Sequence, residues 1–433
     1  MVNHLKKVFQ PKSKVLILGF GKEGRSTFSF LRKYFPDIRI GIADSNEKLS
    51  WENKLPAVLH LGTRYLEAID AYDWVIKSPG VRLPTLSKEQ LQKMSSQTDL
   101  FLQVYGKQTV GVTGTKGKST TSSLIFHLLK QTGRKALLMG NIGLPAFDFI
   151  EKIDAETTLV YELSAHQLRY VHHSPHIALL LNIFPEHLDF FEDFDHYRTA
   201  KKNIFLYQNA NDIAICGQDI AEIDCLYLGE IIMETETIFG KNIRPEELLE
   251  KSGLKGRHNL KNVLIASKTA SILRLKSDEI LNALSGFKAL AHRLEFIGSF
   301  GGIRFYNDSI ATIPQATIAA VKSLENIDAL ILGGFDRGLD YTGLIDFLSV
   351  SQIDNFFFLG KAGMRMLELF KKKESTQTLI PVKDMAEIFQ YLSNSQTIHS
   401  CLLSPAAASY DQFHNFEHRG DWFKSLAKGM EQA

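Results

Sequence analysis

The sequence predicts an α/β protein of three successive domains, each built on a mainly parallel sheet. Three observations predict it. Short apolar runs recur along the whole chain and alternate with stretches of helical pattern, as in strands joined by helical crossovers. Two of the strand-to-helix junctions are rich in glycine: Gly19-Phe20-Gly21-Lys22-Glu23-Gly24 and Gly111-Val112-Thr113-Gly114-Thr115-Lys116-Gly117-Lys118-Ser119-Thr120. The chain, at 433 residues, is too long for a single hydrophobic core.

The first domain is expected over residues 1–104. A buried-strand run at 14–18 leads into the first glycine turn, a helical stretch follows at 25–34, and a second strand at 39–43 ends in Asp44. This βαβ opening is Rossmann-like. A further strand at 73–76 is closed by Ser78-Pro79-Gly80, and the polar stretch 83–101 reads as helix. The central domain, 105–290, opens with a strand at 109–112, the second glycine turn and a helix from about Ser119, a P-loop ATPase-like arrangement. Its other strands are expected at 135–139, 158–163, 177–182 and 212–216, and a helical pattern covers 255–272. The third domain, 291–433, is again Rossmann-like. Its strands are expected at 303–306, 329–332, 355–359 and 400–403, and its helices at 315–323, 362–370 and 386–393.

Composition excludes several classes. A net charge of +2 argues against bulk nucleic-acid binding. The longest apolar runs, such as 177–181, fall far short of the roughly 20 residues of a membrane helix. The basic N-terminus precedes no apolar signal segment. Cys216, Cys225 and Cys401 are scattered and odd in number, which suggests a reducing compartment without a disulfide frame. A cytoplasmic monomer with small-molecule partners, and neither nucleic acid nor membrane among them, is the expectation.

The second glycine turn points to ATP. Backbone N–H groups of Gly114, Thr115, Lys116 and Gly117, with the positive end of the following helix, would cradle phosphate. Lys118 would reach the terminal phosphates and the Ser119 hydroxyl would bind Mg²⁺, with Thr120 beside it. Val112 stands where the standard pattern has its first glycine. The first turn, with Asp44 about twenty residues on, resembles a dinucleotide fingerprint. Alone it would suggest an NAD-dependent oxidoreductase. A UDP group also carries a pyrophosphate, however, and nothing later in the chain suits hydride chemistry. Gly21, Lys22, Asp44 and Ser78 are the candidate contacts there.

Further stretches follow in order: Gly140-Asn141-Ile142-Gly143-Leu144-Pro145, Glu162-Leu163-Ser164-Ala165-His166-Gln167-Leu168, Asn182-Ile183-Phe184-Pro185-Glu186-His187-Leu188-Asp189, Tyr197-Arg198-Thr199-Ala200-Lys201 and Gly256-Arg257-His258-Asn259-Leu260-Lys261-Asn262. His292-Arg293, Asn307-Asp308-Ser309 and Leu403-Ser404-Pro405-Ala406-Ala407-Ala408-Ser409-Tyr410-Asp411-Gln412-Phe413 complete the set. Together with the second glycine turn they make a chain that resembles the Mur ligases over nearly its whole length. The last stretch and the first glycine turn most resemble the branch that adds D-glutamate to UDP-N-acetylmuramoyl-L-alanine.

The resemblance implies ATP-dependent, ADP-forming amide synthesis through an acyl phosphate, in peptidoglycan precursor synthesis. It implies Lys118, Glu162, His187 and Lys201 as the catalytic set, with Ser119, Glu162, His187 and Lys201 around Mg²⁺ and Lys201 carbamylated. It places Asn141 at the muramoyl-alanine side, and His258, Asn259, Asn262, Arg293 and Asp308 on ATP. Thr312, Arg337, Ser409 and Phe416 fall where the family binds the incoming amino acid. Three positions depart from the family pattern: Ile310 replaces its lysine, His166 a common Phe, and Glu186 a common Asp. The first leaves open a relative that adds L-glutamate or another amino acid. A folylpolyglutamate-type ligase is disfavoured by the first glycine turn, and a non-catalytic ATP-binding scaffold by the joint presence of Lys118, Glu162, His187 and Lys201.

Overall fold

The computed structural model describes residues 1–49, 57–142, 144–186, 190–217, 226–227, 243–254, 257–287, 291–324 and 326–431. The chain divides into two compact units, Met1–Lys288 and Ala289–Ala433. The first carries two sheets and the second a third.

In the first sheet, β1 (Lys14–Leu18), β2 (Arg39–Asp44), β3 (Val58–Leu61), β4 (Trp74–Lys77) and β5 (Met94–Ser95) lie in the order β3-β2-β1-β4-β5, all parallel. Val15 to Leu18 are wholly buried, as a strand covered on both faces requires. The order reverses between β1 and β4, so the crevice beyond their carboxyl ends is a topological switch point. The first glycine turn and Ser78 lie there. The helix Lys22–Tyr34 buries Phe28, Phe30 and Leu31.

The second sheet has the order β11-β10-β9-β6-β8-β7, with β6 (Thr109–Thr113), β7 (Ala136–Gly140), β8 (Thr158–Glu162), β9 (Ile177–Leu180), β10 (Ile213–Cys216) and β11 (Leu226–Tyr227), again all parallel. The helices Lys118–Gln131 and Arg257–Ile272 supply much of its apolar cover through Leu124, Ile125, Leu128, Val263 and Ala266. The two sheets of this unit share one apolar cluster, in which Ile17 and Phe30 join Phe147, Tyr161 and Leu163. The rings of Phe30 and Phe147 lie 4.4 Å apart.

The third sheet has the order β12-β13-β17-β14-β15-β16, with β12 (Glu295–Phe300), β13 (Ile303–Asn307), β14 (Ala329–Gly333), β15 (Asn355–Leu359), β16 (Thr378–Val382) and β17 (Ser400–Leu403). Only β12 runs antiparallel, in a hairpin with β13 that turns at Gly301 and Gly302, both at positive φ.

The structure adds five strands that sequence pattern alone does not predict: β3, β5, β11, β12 and β16. Each is an edge strand, where pairing on one side removes the need for a continuous apolar run. The stretch 83–101 is not one helix: the helix Lys88–Gln92, β5 and the start of the helix Gln97–Tyr105 divide it. Cys216 is disulfide-bonded, against the expectation of free thiols, while Cys401 is a free and buried thiol. Spacing carried no signal for that bond, which depends on how closely the backbone brings two cysteines together. No helix among the described residues is long and apolar enough to cross a membrane.

Candidate active site

The second glycine turn takes its shape from two glycines in conformations that side chains rarely adopt, Gly114 at φ +155° and Gly117 at φ +85°. Asn182, just past β9, holds the turn from below. Its backbone carbonyl accepts from Thr115 N–H, its side-chain oxygen accepts from Lys116 N–H, and its amide donates to the Lys116 carbonyl. The amides of Thr115 and Lys116 thus both donate to Asn182 in this structure. The first-turn amides of the helix Lys118–Gln131, including those of Ser119 and Thr120, have no intrahelical acceptors and stand at the positive end of the helix.

Lys118 Nζ donates to the carbonyls of Gly114 (2.8 Å) and Thr115 (3.0 Å). Lys201, on the helix Phe194–Leu206, donates to the same Gly114 carbonyl at 2.8 Å. Lys201 is 1% exposed, whereas Lys202 keeps partial exposure. Burial, then the charge of Lys118 and that of Lys116, lower the Lys201 ammonium to about 6, against a smaller opposing pull from Glu186. Its nitrogen lies 4.8 Å from the centre of the Tyr197 ring. The Tyr197 hydroxyl meets that of Thr115 at 3.1 Å. Lys116 itself pairs with Glu186 at 2.7 Å.

Glu162 ends β8, with Val112 of β6 opposite, and is wholly buried. Asn141, just past β7, donates to Glu162 Oε1 at 2.6 Å, and the Ser122 hydroxyl reaches Oε2 at 3.4 Å. Ser119 is 3% exposed on the same helix as Ser122. A buried carboxylate and a hydroxyl beside a phosphate-type turn are hard oxygen donors of the kind Mg²⁺ takes, so these residues fit ATP and its metal. Asn262 closes the turn from the helix Arg257–Ile272. Its Oδ1 accepts from the Thr121 hydroxyl at 3.2 Å, and its amide donates to Asn259 at 3.1 Å. His187 lies outside the described residues, as does the side chain of His258.

At the switch point of the first sheet, Asp44 Oδ2 accepts from Phe20 N–H at 2.7 Å, and the Ser78 hydroxyl donates to the Gly19 carbonyl at 2.7 Å. Gly24 packs so closely on the Gly19 carbonyl that a Cβ would lie 2.1 Å from it. Gly21 and Lys22 are exposed at the mouth of this turn.

In the second unit the candidate residues gather at the carboxyl ends of β13, β17 and β14. Asp308 accepts from the Ser404 hydroxyl (2.8 Å) and from Leu294 N–H (3.2 Å). Burial raises its carboxyl to about 7, against those two hydrogen bonds and the nearby charge of Arg293. Arg337 is exposed and donates to the Thr312 carbonyl at 2.8 Å. The Phe416 carbonyl accepts from the Ser309 hydroxyl at 2.8 Å. Ser409 is 2% exposed.

A family model described as Mur ligase middle domain matches residues 112–228. The UDP-N-acetylmuramoylalanine–D-glutamate ligase of Clostridium botulinum strain Hall is 31% identical, over 98% of this chain and 98% of its own. The chain belongs to the Mur ligase family. A second curated relative of the same name, from Ruminiclostridium cellulolyticum, is 29% identical over 96% of this chain and 97% of its own. Among solved structures, the UDP-N-acetylmuramate–alanine ligase of Thermotoga maritima shares the fold with a TM-score of 0.54, at 16% identity, over 96% of this chain and 99% of that one. The MurF ligase of the same organism, solved with ADP, gives 0.53 at 16% identity, over 98% and 97%. Mur ligases are ATP-dependent, ADP-forming amide ligases.

In this Mur ligase the structure brings Gly114, Lys118 and Lys201 into direct contact, and likewise Asn141 with Glu162, and Thr312 with Arg337. Sequence reasoning missed three further residues. Asn182 shapes the turn, and Ser122 faces Glu162. Arg419 is the largest wholly enclosed side chain of the second unit, 1% exposed. It donates to the Ser309 hydroxyl and carbonyl and to the carbonyls of Ala407 and Ala408. An arginine on a polar helix reads as surface. Its neighbours Gly420 and Phe423, both buried, were the available signal.

Proposed function

We propose that this chain joins D-glutamate to the carboxyl of UDP-N-acetylmuramoyl-L-alanine with hydrolysis of ATP to ADP and phosphate, in peptidoglycan precursor synthesis. The observation that carries the substrates is the full-length likeness to relatives of that name. The site chemistry agrees with it. ATP would phosphorylate the acceptor carboxyl, and the amine of glutamate would displace phosphate from the acyl phosphate. Both steps gather negative charge where Lys118 and the helix N-terminus stand.

In this reading residues 1–104 hold the sugar nucleotide through Gly21, Lys22, Asp44 and Ser78, and residues 105–290 hold ATP through the second glycine turn, His258, Asn259 and Asn262. Residues 291–433 bring Arg293 and Asp308 to ATP, and Thr312, Arg337, Ser409 and Phe416 to the amino acid. Ser119, Glu162 and His187 would hold Mg²⁺, whose charge would neutralise the phosphates. Asn141 supports this by orienting Glu162. Lys201 is buried with its ammonium lowered to about 6, which favours the neutral amine that reaction with CO₂ requires. A carbamate there would give an anionic oxygen donor in place of a cation. We place the enzyme in the cytoplasm as a monomer.

Ile310 keeps a second reading in view, addition of L-glutamate, because the family lysine is absent from the amino-acid side. Mass spectrometry of the reaction mixture tests both. Formation of ADP with a UDP-N-acetylmuramoyl-L-alanyl-glutamate product from the D-isomer supports the first. The same product from the L-isomer alone replaces it with the second.

A further inference from the structure

The first glycine turn contains an acid, Glu23, in a segment whose shape suits an anionic ligand. The structure shows where its charge goes. Glu23 as a whole keeps partial exposure, but its Oε2 is sealed from solvent and has no hydrogen-bond partner. Its Oε1 accepts from the side-chain amide of Gln167 at 2.6 Å. Lys77, 3% exposed at the end of β4, lies within electrostatic reach. Its ammonium donates to the carbonyls of Ser78 and Pro79 and sits 5.2 Å from the centre of the Tyr170 ring. Burial raises the Glu23 carboxyl to about 7 and lowers Lys77 to about 7, so neither group keeps its full charge readily in this enclosure.

Gln167 comes from the segment that follows β8 of the other sheet in the same unit. It is the third residue of a short capped helix, and its Oε1 accepts from Ser164 N–H at 2.9 Å while its own N–H donates to the Ser164 hydroxyl at 3.3 Å. Ser164 follows Glu162 by two residues. One amide group thus spans from the segment after Glu162 to the first glycine turn. Gln97 joins the same contact by donating to the Glu23 carbonyl at 3.3 Å.

We infer that Gln167 is a positioning residue for the sugar-nucleotide site: it draws the Glu23 carboxyl away from the mouth of the glycine turn and fixes that turn to the segment carrying Glu162. This rests on the reading that the first turn binds the UDP portion of the acceptor. A free carboxylate at that turn would repel a diphosphate, and Gln167 is the group that prevents it.

The substitution Gln167→Glu isolates the point. A carboxylate at this position still accepts from Ser164 N–H, so the helix cap survives, but the donor to Glu23 is replaced by a second acid. Titration calorimetry with UDP-N-acetylmuramoyl-L-alanine, and separately with ADP and Mg²⁺, reads the two sites of the whole chain. Q167E is expected to weaken the UDP ligand by about tenfold or more while leaving ADP within about twofold. The reversed pair E23Q/Q167E exchanges the two groups, so that the amide donates from the glycine turn to a carboxylate on the capped helix. It is expected to restore binding of the UDP ligand. E23Q alone, which removes the charge, is expected to match the wild type and provides the test if Q167E does not fold. Unchanged binding by Q167E, no recovery in the reversed pair, or weakened binding by E23Q would overturn the inference. A wild-type chain that binds ADP but not the UDP ligand would overturn the reading of the first turn, and the inference with it.

Discussion

Lys118 and Lys201 donate to one and the same acceptor, the carbonyl oxygen of Gly114, each at 2.8 Å. Two ammonium groups on one carbonyl repel each other, and the buried one gives way. The lowering of Lys201 to about 6 follows from its burial together with that geometry.

Lys201 should therefore be the lysine that matters, and Lys202 should not. We expect Lys201→Ala to lose on the order of 100-fold or more in turnover and Lys202→Ala to stay within about twofold, since Lys201 is buried and donates to the Gly114 carbonyl of the turn while Lys202 keeps partial exposure. Steady-state assays with and without added bicarbonate check this. A ¹³C-bicarbonate NMR signal present in the wild type and absent in K201A would mark the carbamate.

The same residue predicts a pH slope in stability. Lys201 is lowered from an ordinary 10.5 to about 6, so within that window the unfolded chain binds a proton that the folded chain does not. Stability contributed by this site rises with pH through the window and levels off below it. In CO₂-free buffer Lys201→Met should lose that rise and be more stable than the wild type at pH 7, by on the order of 1 kcal/mol or more. Thermal melts at several pH values read it.

Asp308 gives a slope of the opposite sign. Its carboxyl is raised from an ordinary 3.8 to about 7, so between these values the folded chain holds a proton the unfolded chain has released. Stability falls as pH rises through that window. Asp308→Asn should flatten the fall, measured by denaturant unfolding of the wild type and the variant from pH 4 to pH 8.

Gly117 should tolerate no side chain. Its φ of +85° disfavours one, and a Cβ would lie 2.5 Å from Asn262 Oδ1. Gly117→Ala is expected to cost roughly 1–3 kcal/mol and to weaken ADP binding at least tenfold, by calorimetry.

Arg419 is the corresponding point in the second unit. Removing it leaves the Ser309 and Ala407 carbonyls without their buried donor and the Ala408 carbonyl with Phe335 N–H alone. Arg419→Met is expected to destabilise by roughly 2–4 kcal/mol, and Arg419→Lys to recover little, because one ammonium cannot reproduce the guanidinium fork. If the loops it joins bear the amino-acid site, the more tractable Lys variant should show a raised KM for glutamate with the KM for ATP unchanged.

Central strands were legible because burial on both faces forces a continuous apolar run, as in residues 14–18 and 355–359. Of the edge strands β7 was legible, but β3, β5, β11, β12 and β16 were not. β16 contains Pro381, which removes a ladder donor and reads as a breaker, and β3 exposes Val58 and Leu59. The second glycine turn was legible because glycine spacing reports backbone conformation directly. Asn182 and Arg419 were not, since each acts by hydrogen bonds to backbone groups distant in sequence, which leave no local pattern. The division of the chain between its first two sheets was also invisible as packing: their shared cluster around Phe30 and Phe147 joins residues more than a hundred positions apart.

Phosphate release from ATP and Mg²⁺, measured with UDP-N-acetylmuramoyl-L-alanine and either D-glutamate, L-glutamate or no amino acid, decides whether this chain is a D-glutamate-adding ligase. Sustained release that requires D-glutamate and fails in K118A and K201A is the expected result. Release that proceeds equally without an amino acid, or no release with either isomer, would contradict it.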